Sequence, residues 1–456
     1  MRATLAQVRS YDRSVQLLLA NQFTINLGFY MLMPYLAQHL SGTLGLAGWL
    51  VGLVLGVRNF SQQGMFLVGG TLADRFGYKP LIVAGCVLRT VGFAALGLVD
   101  SVPALLAASA ATGFAGALFN PAVRAYLAAD AGERRVEAFA LFNVFYQAGI
   151  LLGPLVGMLL TGFDFRLPCL VSASIFALLS AVQIRALPAR TAGHAADAEA
   201  GDRQSVPAQW RGVVRNRAFL LFATAMIGSY VLSFQVYLAL PLEVRRLGGE
   251  GEFGTAAVAL LFAASGLATV FGQTRVTEWC KARLEPGQAL ARGVSVMGLA
   301  FVPLLAGTFV PVPDAQVGHR LLVALLPTLA ALLLALGTMI AYPFEMDTIV
   351  RLSGNRLVAT HYGLYNTICG IGITLGNLLT GAALDAARAA GMSALPWLAL
   401  LILGVACAAS LHVLYRAGLL ATMAAEPASV TAEGTSLLQR GEQVEVTGNS
   451  PGVARR

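Results

Sequence analysis

Twelve apolar runs, each about as long as a helix must be to cross a lipid bilayer, fix what this chain can fold into. A bilayer core about 30 Å thick takes roughly 20 helical residues at 1.5 Å each. Runs of that kind cover approximately 15–40, 48–71, 81–99, 103–127, 137–161 and 167–187, then 217–241, 255–276, 289–310, 320–344, 358–383 and 394–416. With no water in the bilayer core, each run must satisfy its backbone groups internally, so each is expected as a helix. Charged residues make up only 12% of the chain, against about 25% in soluble domains. The expected fold class is an all-α membrane protein, with twelve transmembrane helices in two pseudo-symmetric six-helix bundles. A soluble enzyme is the remote alternative.

The expected division is an N-terminal bundle over 1–187, a cytoplasmic linker over 188–216, a C-terminal bundle over 217–416 and a disordered cytoplasmic tail over 417–456. The linker is polar and rich in Ala, Pro and charge, and the tail loses apolar periodicity. The net charge of +8 reads as membrane topology and not as nucleic-acid binding, because the basic residues lie between apolar runs. With both termini in the cytoplasm, 22 Lys and Arg fall on the cytoplasmic side and five on the other, with four inside spans. That asymmetry sets the expected orientation.

The two halves echo each other. "LFNVFYQAGILLG" at 141–153 aligns with "LYNTICGIGITLG" at 364–376, and Leu, Asn, Gly, Ile, Leu and Gly recur in register. These are the fifth spans of each half. Such repeats belong to transporters that rock two bundles about a midplane site. The five cysteines form no CxxC and read as small core residues. There is no GxxxxGK[ST] to cradle ATP, no HExxH or Cys/His cluster for a metal, and no serine elbow. No cofactor, no metal and no catalytic residue is therefore expected. The first apolar run is too long for a cleaved signal and is expected to stay as a helix.

A charged connection interrupts the oily chain between the second and third runs: "GGTLADRFGYKP", Gly69 to Pro80. It resembles the signature loop of the major facilitator superfamily, G-x-L-A-D-R-x-G-R-K, at Gly70, Leu72, Ala73, Asp74, Arg75, Gly77 and Lys79. The resemblance implies a conformational latch of Gly70, Asp74, Arg75, Gly77, Lys79 and Asp130. In it Asp74 would lie against the N-terminal end of span eleven near Val358, where orphan N–H groups attract an anion. The alternative is a solvated loop that only fixes topology. Tyr78 stands where the family usually has an Arg paired with an acid ending span four; Asp130 is such an acid, and Lys79 is the candidate substitute.

"GILLGPLVG", Gly149 to Gly157, resembles the antiporter motif of the same superfamily. Gly149, Gly153 and Gly157 are four apart on one helical face, open to a close neighbour, and Pro154 removes a backbone hydrogen bond. The resemblance implies export; the alternative is ordinary small-residue packing. "VGLVLGVRNFSQQGMFLVGG" (51–70) with "FNPAVRAYL" (119–127) is similar to the Mdt-type multidrug exporters of bacterial inner membranes. That likeness points to drug efflux.

Ionisable residues inside spans are functional candidates. Arg58 either binds an anionic group or holds backbone carbonyls, and Arg89 reads as structural. Arg124 late in span four and Glu345 at the end of span ten are expected as a gate salt bridge, with Asp347 beside them. A proton on Glu345 would release it. The alternative is two residues solvated at the interface. The acid in span one and the Arg in mid span four usual for drug/proton antiporters are missing. Glu345, Asp74 and Asp347 remain for proton coupling, with His361 and His412 as weaker candidates.

The cavity candidates are Asn26, Tyr30, Arg58, Gln62, Asn143, Gln147, Tyr230, Phe234, Gln235 and Asn366. The pairs 26/30, 58/62 and 143/147 share helix faces. Polar groups among apolar walls suit amphipathic substrates; the alternative reading of each is interhelical glue. The reading is a secondary transporter exporting small amphipathic compounds by proton antiport with alternating access. Its expected partners are the substrate, protons and the lipid bilayer, with no nucleic acid. It is expected as a monomer in the bacterial inner membrane. The alternatives are a narrow-specificity metabolite or organic-anion exporter, and a non-transporting receptor or assembly partner with the same fold.

Overall fold

The computed structural model describes residues 2–188, 205–248, 251–309 and 316–420. Among these, helices supply all the regular structure. The 189–204 part of the linker and the tail from residue 421 lie outside the described residues, and so do the expectations made for them.

Twelve passes follow the twelve apolar runs. Spans one to six are Arg13–Gln38, Gly48–Gln63 continued by Phe66–Phe76, Tyr78–Leu98, Val102–Ala131, Arg135–Thr161 and Arg166–Ala186. Spans seven to twelve are Arg217–Phe234 continued by Ala239–Gly248, Glu252–Arg283, Pro286–Leu299 continued by Val302–Gly307, Gln316–Leu352, Val358–Ala390 and Leu395–Arg416. Nine stretches of described residues are long and apolar enough to cross a membrane, and one of them, 102–161, holds spans four and five end to end. Spans one and two fall short of that measure because they carry Asn21, Gln22, Asn26, Arg58, Asn59 and Gln62.

Two short helices were not expected. Arg2–Arg9 precedes span one, and Val206–Arg215 leads out of the linker into span seven. The second corrects the reading of that stretch as simply solvated. Pro207 stands in its first turn, where a missing N–H costs nothing. Its Trp210 donates from Nε1 to Thr71 Oγ1 at 2.8 Å.

Call the end where spans six and seven meet the linker the linker end. The two halves close on each other there. Spans two and eleven run backbone against backbone: a Cβ added at Gly70 would stand 2.1 Å from the Ala359 carbonyl oxygen, and one at Gly363 would stand 2.4 Å from that of Phe66. Only glycine permits this approach, which gains dispersion contacts in a medium that offers no hydrophobic drive between helices. Along span eleven, ten of the thirteen residues 358–370 are buried, but only three of the seventeen residues 371–387. The seam is therefore sealed from the linker end to mid-membrane and parts beyond it.

The internal repeat reappears as packing. Gly149 and Gly153 of span five lie on Asn26 and Tyr30 of span one, each with an added Cβ 2.7 Å from the neighbour's Cβ. Their counterparts Gly372 and Gly376 of span eleven lie on Ile227 and Val231 of span seven, at 2.4 and 2.5 Å. Span five meets span one as span eleven meets span seven, which is the pseudo-symmetry of the two halves in atomic terms.

If the glycine seam holds the linker end shut, Gly363→Ala forces spans two and eleven apart there. With the five native cysteines replaced and a single cysteine at position 360, a membrane-impermeant thiol reagent applied to purified protein in detergent should label the Gly363→Ala protein several-fold faster. Equal labelling would show that the seam tolerates the methyl group.

Candidate functional site

The seam is built from the residues at span ends upward. Asp74 ends span two, where Gly77 at φ 92° breaks the helix in a conformation that favours glycine. The carboxylate is buried against the first turn of span eleven. It accepts from the Thr360 N–H at 2.7 Å, the Thr360 hydroxyl at 2.7 Å and the Ala359 N–H at 3.2 Å. These are the donors a helix leaves unpaired at its start, and an anion there also meets the positive end of the helix dipole.

The rest of the signature loop behaves differently. Lys79 donates to the Ile184 carbonyl of span six at 2.8 Å. It does not take the place of the missing arginine at Asp130. Asp130 instead accepts a hydrogen bond from the Ser14 hydroxyl. Arg75 is exposed, and Tyr78 is buried beside Tyr126, ring centroids 6.2 Å apart.

The expected Arg124–Glu345 ion pair is not formed. Arg124 Nη1 donates to the Asn366 side-chain oxygen at 2.9 Å, and the Tyr230 hydroxyl donates to Glu345 at 2.8 Å. The reason is register: Asn366 and Tyr230 stand closer to each charge than the charges stand to each other. The charge closing the linker end is Asp347, whose side chain is 3% exposed between Arg135 of span five at 2.8 Å and Arg351 at 2.6 Å. Arg135 belongs to the first half, so this pair bridges the halves. A second bridge joins Lys281 of span eight to Glu137 of span five, which also pairs with Arg134 at 3.0 Å. Next to it, burial pushes the Tyr11 phenol up to about 12, so it stays a neutral donor under the Arg134 guanidinium, 4.1 Å from its ring centroid.

Deeper along the seam lies the tyrosine cage of Glu345. The residue is 1% exposed. Tyr342, Tyr365 and Arg124 stand within electrostatic reach of its carboxyl group. Tyr230 stacks on Tyr342 at 5.4 Å and meets Tyr365 edge-on at 6.0 Å. One carboxyl oxygen, Oε2, has no hydrogen-bond partner among the described residues. A buried carboxyl group with a spare oxygen and hydroxyl neighbours is suited to gaining and losing a proton.

The cavity candidates separate. Tyr30, Arg58, Gln62, Gln147, Tyr230 and Phe234 are partly buried. Asn143 and Asn366 instead tie the halves: Asn143 donates to Gln273 of span eight at 2.6 Å, and Asn366 holds Arg124. Asn26 is buried and donates to the Gln22 carbonyl of its own helix at 2.7 Å, whereas Gln235 donates to the Val231 carbonyl at 2.8 Å and crosses to Asn377 of span eleven at 3.3 Å. The glycines at 149, 153 and 157 face span one, not the other half, and the Pro154 carbonyl accepts from the Tyr35 hydroxyl at 2.6 Å. The weaker proton candidates stand apart from the cage. His361 Nδ1 lies 2.9 Å from the carbonyl of Leu357, the residue before its helix, and His412 is exposed. Among the described residues, no group of three His, Cys, Asp or Glu residues is arranged to hold a metal. Sequence reasoning missed Tyr342, Tyr365, Arg135, Glu137, Lys281 and Gln273. Tyr342, beside Pro343 and three residues before Glu345, was the one available signal.

The model of the Major Facilitator Superfamily matches residues 18–377. An uncharacterized MFS-type transporter of Mycobacterium tuberculosis is 52% identical over 404 residues, covering 89% of this chain and 94% of that protein. Multidrug resistance protein MdtH of Yersinia enterocolitica is 30% identical over 406 residues, covering 88% and 94%. Among solved structures, the human organic anion transporter MFSD10 aligns with a TM-score of 0.65 at 14% identity, over 88% of this chain and 99% of that one. The transporter FucP in its outward conformation also aligns at 0.65, at 17% identity, over 89% and 99%. At those identities the two structures speak for the fold.

Removing the acid that two arginines share should cost more than removing either arginine. Asp347→Ala should destabilise the purified protein by on the order of 3 kcal/mol, and Arg351→Ala by clearly less. The check is thermal unfolding in detergent, followed by a thiol-reactive fluorophore that reports exposure of the buried cysteines. Equal melting temperatures for the two variants would remove Asp347 from its place as the centre of the closure.

Proposed function

Because the chain belongs to the major facilitator superfamily, we propose that this multi-pass membrane transporter exports small amphipathic compounds in exchange for protons. The two bodies that rock are the bundles over 1–187 and 217–416, and the linker end faces the cytoplasm of a bacterial inner membrane. The 22-to-5 distribution of Lys and Arg supports that orientation. The MdtH likeness and the glycine–proline motif at Gly149, Gly153, Pro154 and Gly157 support export.

The observation that carries the reading is Glu345, a single buried acid in a tyrosine cage on the seam. In the cycle, the closed linker end is held by Asp74 on span eleven and by Asp347 between Arg135 and Arg351. Protonation of Glu345 removes a charge facing Arg124 and frees Tyr230 to reorient. That changes the contacts between spans four, seven and ten, which is the differential interaction that any population shift needs. Aromatic walls with few polar groups suit substrates that are apolar with one polar end.

The test is dye efflux in everted vesicles, with and without an imposed proton gradient. Gradient-dependent dye movement should fall at least about tenfold in Glu345→Gln, the loss expected when a step loses its proton carrier. Asp74→Asn keeps the shape but weakens the acceptor, and should slow movement without uncoupling it from the gradient. Undiminished gradient-dependent movement in Glu345→Gln would sink the assignment of the carrier to span ten.

A further inference from the structure

Two cations of the first half, Arg58 and Arg89, stand near mid-membrane without a counter-charge among the described residues. Spans one to six hold three acids, Asp74, Asp130 and Glu137, all at the linker end. Each is engaged there: Asp74 on span eleven, Asp130 with Ser14, and Glu137 with Arg134 and Lys281. Arg58 and Arg89 stand near mid-membrane, away from all three. Among the described residues neither forms an ion pair. Arg58 Nη1 and Arg89 Nε are buried without a hydrogen-bond partner, and Arg58 Nη2 donates to its neighbour Asn59.

The two guanidinium groups share one aromatic ring. Phe29 has Arg58 at 4.8 Å and Arg89 at 5.3 Å from its centroid, so the two charges lie within about 10 Å of each other. Phe119 and Phe176 flank Arg89 at 5.0 and 5.4 Å. Ring faces attract cations, but they replace only part of the hydration that each guanidinium loses. Arg89 is 3% exposed and sits behind; Arg58 is partly exposed. Tyr30 lies within electrostatic reach of Arg58, of Tyr146 and of Tyr237 from the second half. Arg58 therefore borders the seam. Gly116 makes room for the arrangement, because a Cβ there would stand 2.9 Å from Arg89 Nη2 and 3.1 Å from Gln62 Cδ.

We propose that Arg58, backed by Arg89, is an anion subsite that receives the carboxylate or sulfonate of an aromatic amphipathic substrate. Two like charges held close in a low-dielectric site, with spare donors, favour a bound anion over the two charges left uncompensated. The aromatic body of the substrate lies toward Tyr30 and Tyr146. Every residue that supplies charge or caging comes from spans one, two, three, four and six. The subsite therefore travels whole when the first half rocks, and it meets the substrate in either state. This names the substrate class of the transporter proposed above and rests on that reading for the direction of movement, but not for the binding.

The probe is a xanthene dye with a free carboxylate, compared with the methyl ester of the same dye. Full-length protein in nanodiscs of zwitterionic lipid should bind the carboxylate form at least about tenfold more tightly than the ester. Arg58→Gln should abolish the preference, Arg89→Gln should weaken it, and Arg58→Lys should keep part of it, since a lysine retains the charge but loses the planar fork. Arg58→Lys also guards against a glutamine variant that does not fold. Equal binding of the two dyes, no binding of either, or a preference unchanged in Arg58→Gln would overturn the subsite. So would a preference that vanishes when phosphatidylglycerol replaces the zwitterionic lipid, which would assign the arginines to a lipid headgroup. Export is read separately in vesicles. Equal export of both dyes overturns the subsite and leaves export standing. A binding preference with no movement of either dye supports the subsite and removes export.

Discussion

In this structure a buried carboxylate lies against the open end of a helix, where the two halves meet. Asp74 meets three donors in the first turn of span eleven, and it reaches them only because Gly70 and Gly363 let the two backbones touch. Neither part works alone. Without the glycines the carboxylate would stand too far away, and without the carboxylate the first N–H groups of span eleven would be buried and unpaired. The ion pairs at Asp347 and Glu137, and the Asn143–Gln273 bond, lie along the same closed end. They reinforce a contact that the two helices already make.

The charges deeper in the membrane divide unequally. The first half carries arginine without acid at mid-membrane, and the second half carries Glu345 in its cage of tyrosines. Arg124 stands between them and is held by Asn366. The bundles are alike in helix packing, as the matched glycines of spans five and eleven show, and unlike in electrostatics. Repetition accounts for the shared packing, and divergence of a few buried side chains accounts for the difference in charge.

The sequence makes the twelve passes legible because a bilayer demands about 20 apolar residues per crossing and tolerates little else. Asp74 was legible for a similar reason: a charged connection between two oily runs must have a use. The partners of the polar seam residues were not legible. Spacing of four places Asn26 and Asn143 on definite faces, but Asn26 turns back to the Gln22 carbonyl while Asn143 crosses to Gln273. An amide on a helix has both options, and the neighbouring helix decides between them. Arg135 and Glu137 escaped notice because charges at a span end read first as topology. Their crossing of the seam depends on the register of spans five, eight and ten, which no single segment encodes.

Two of the three donors to Asp74 are backbone amides, at Ala359 and Thr360. A main-chain N–H is present whatever the side chain, so selection can change position 359 freely among small residues without weakening that bond. Comparative analyses that infer contacts from correlated substitution would therefore find little signal linking Asp74 to its principal partner. Only the Thr360 hydroxyl, the third donor, would leave a trace of this connection in the evolutionary record.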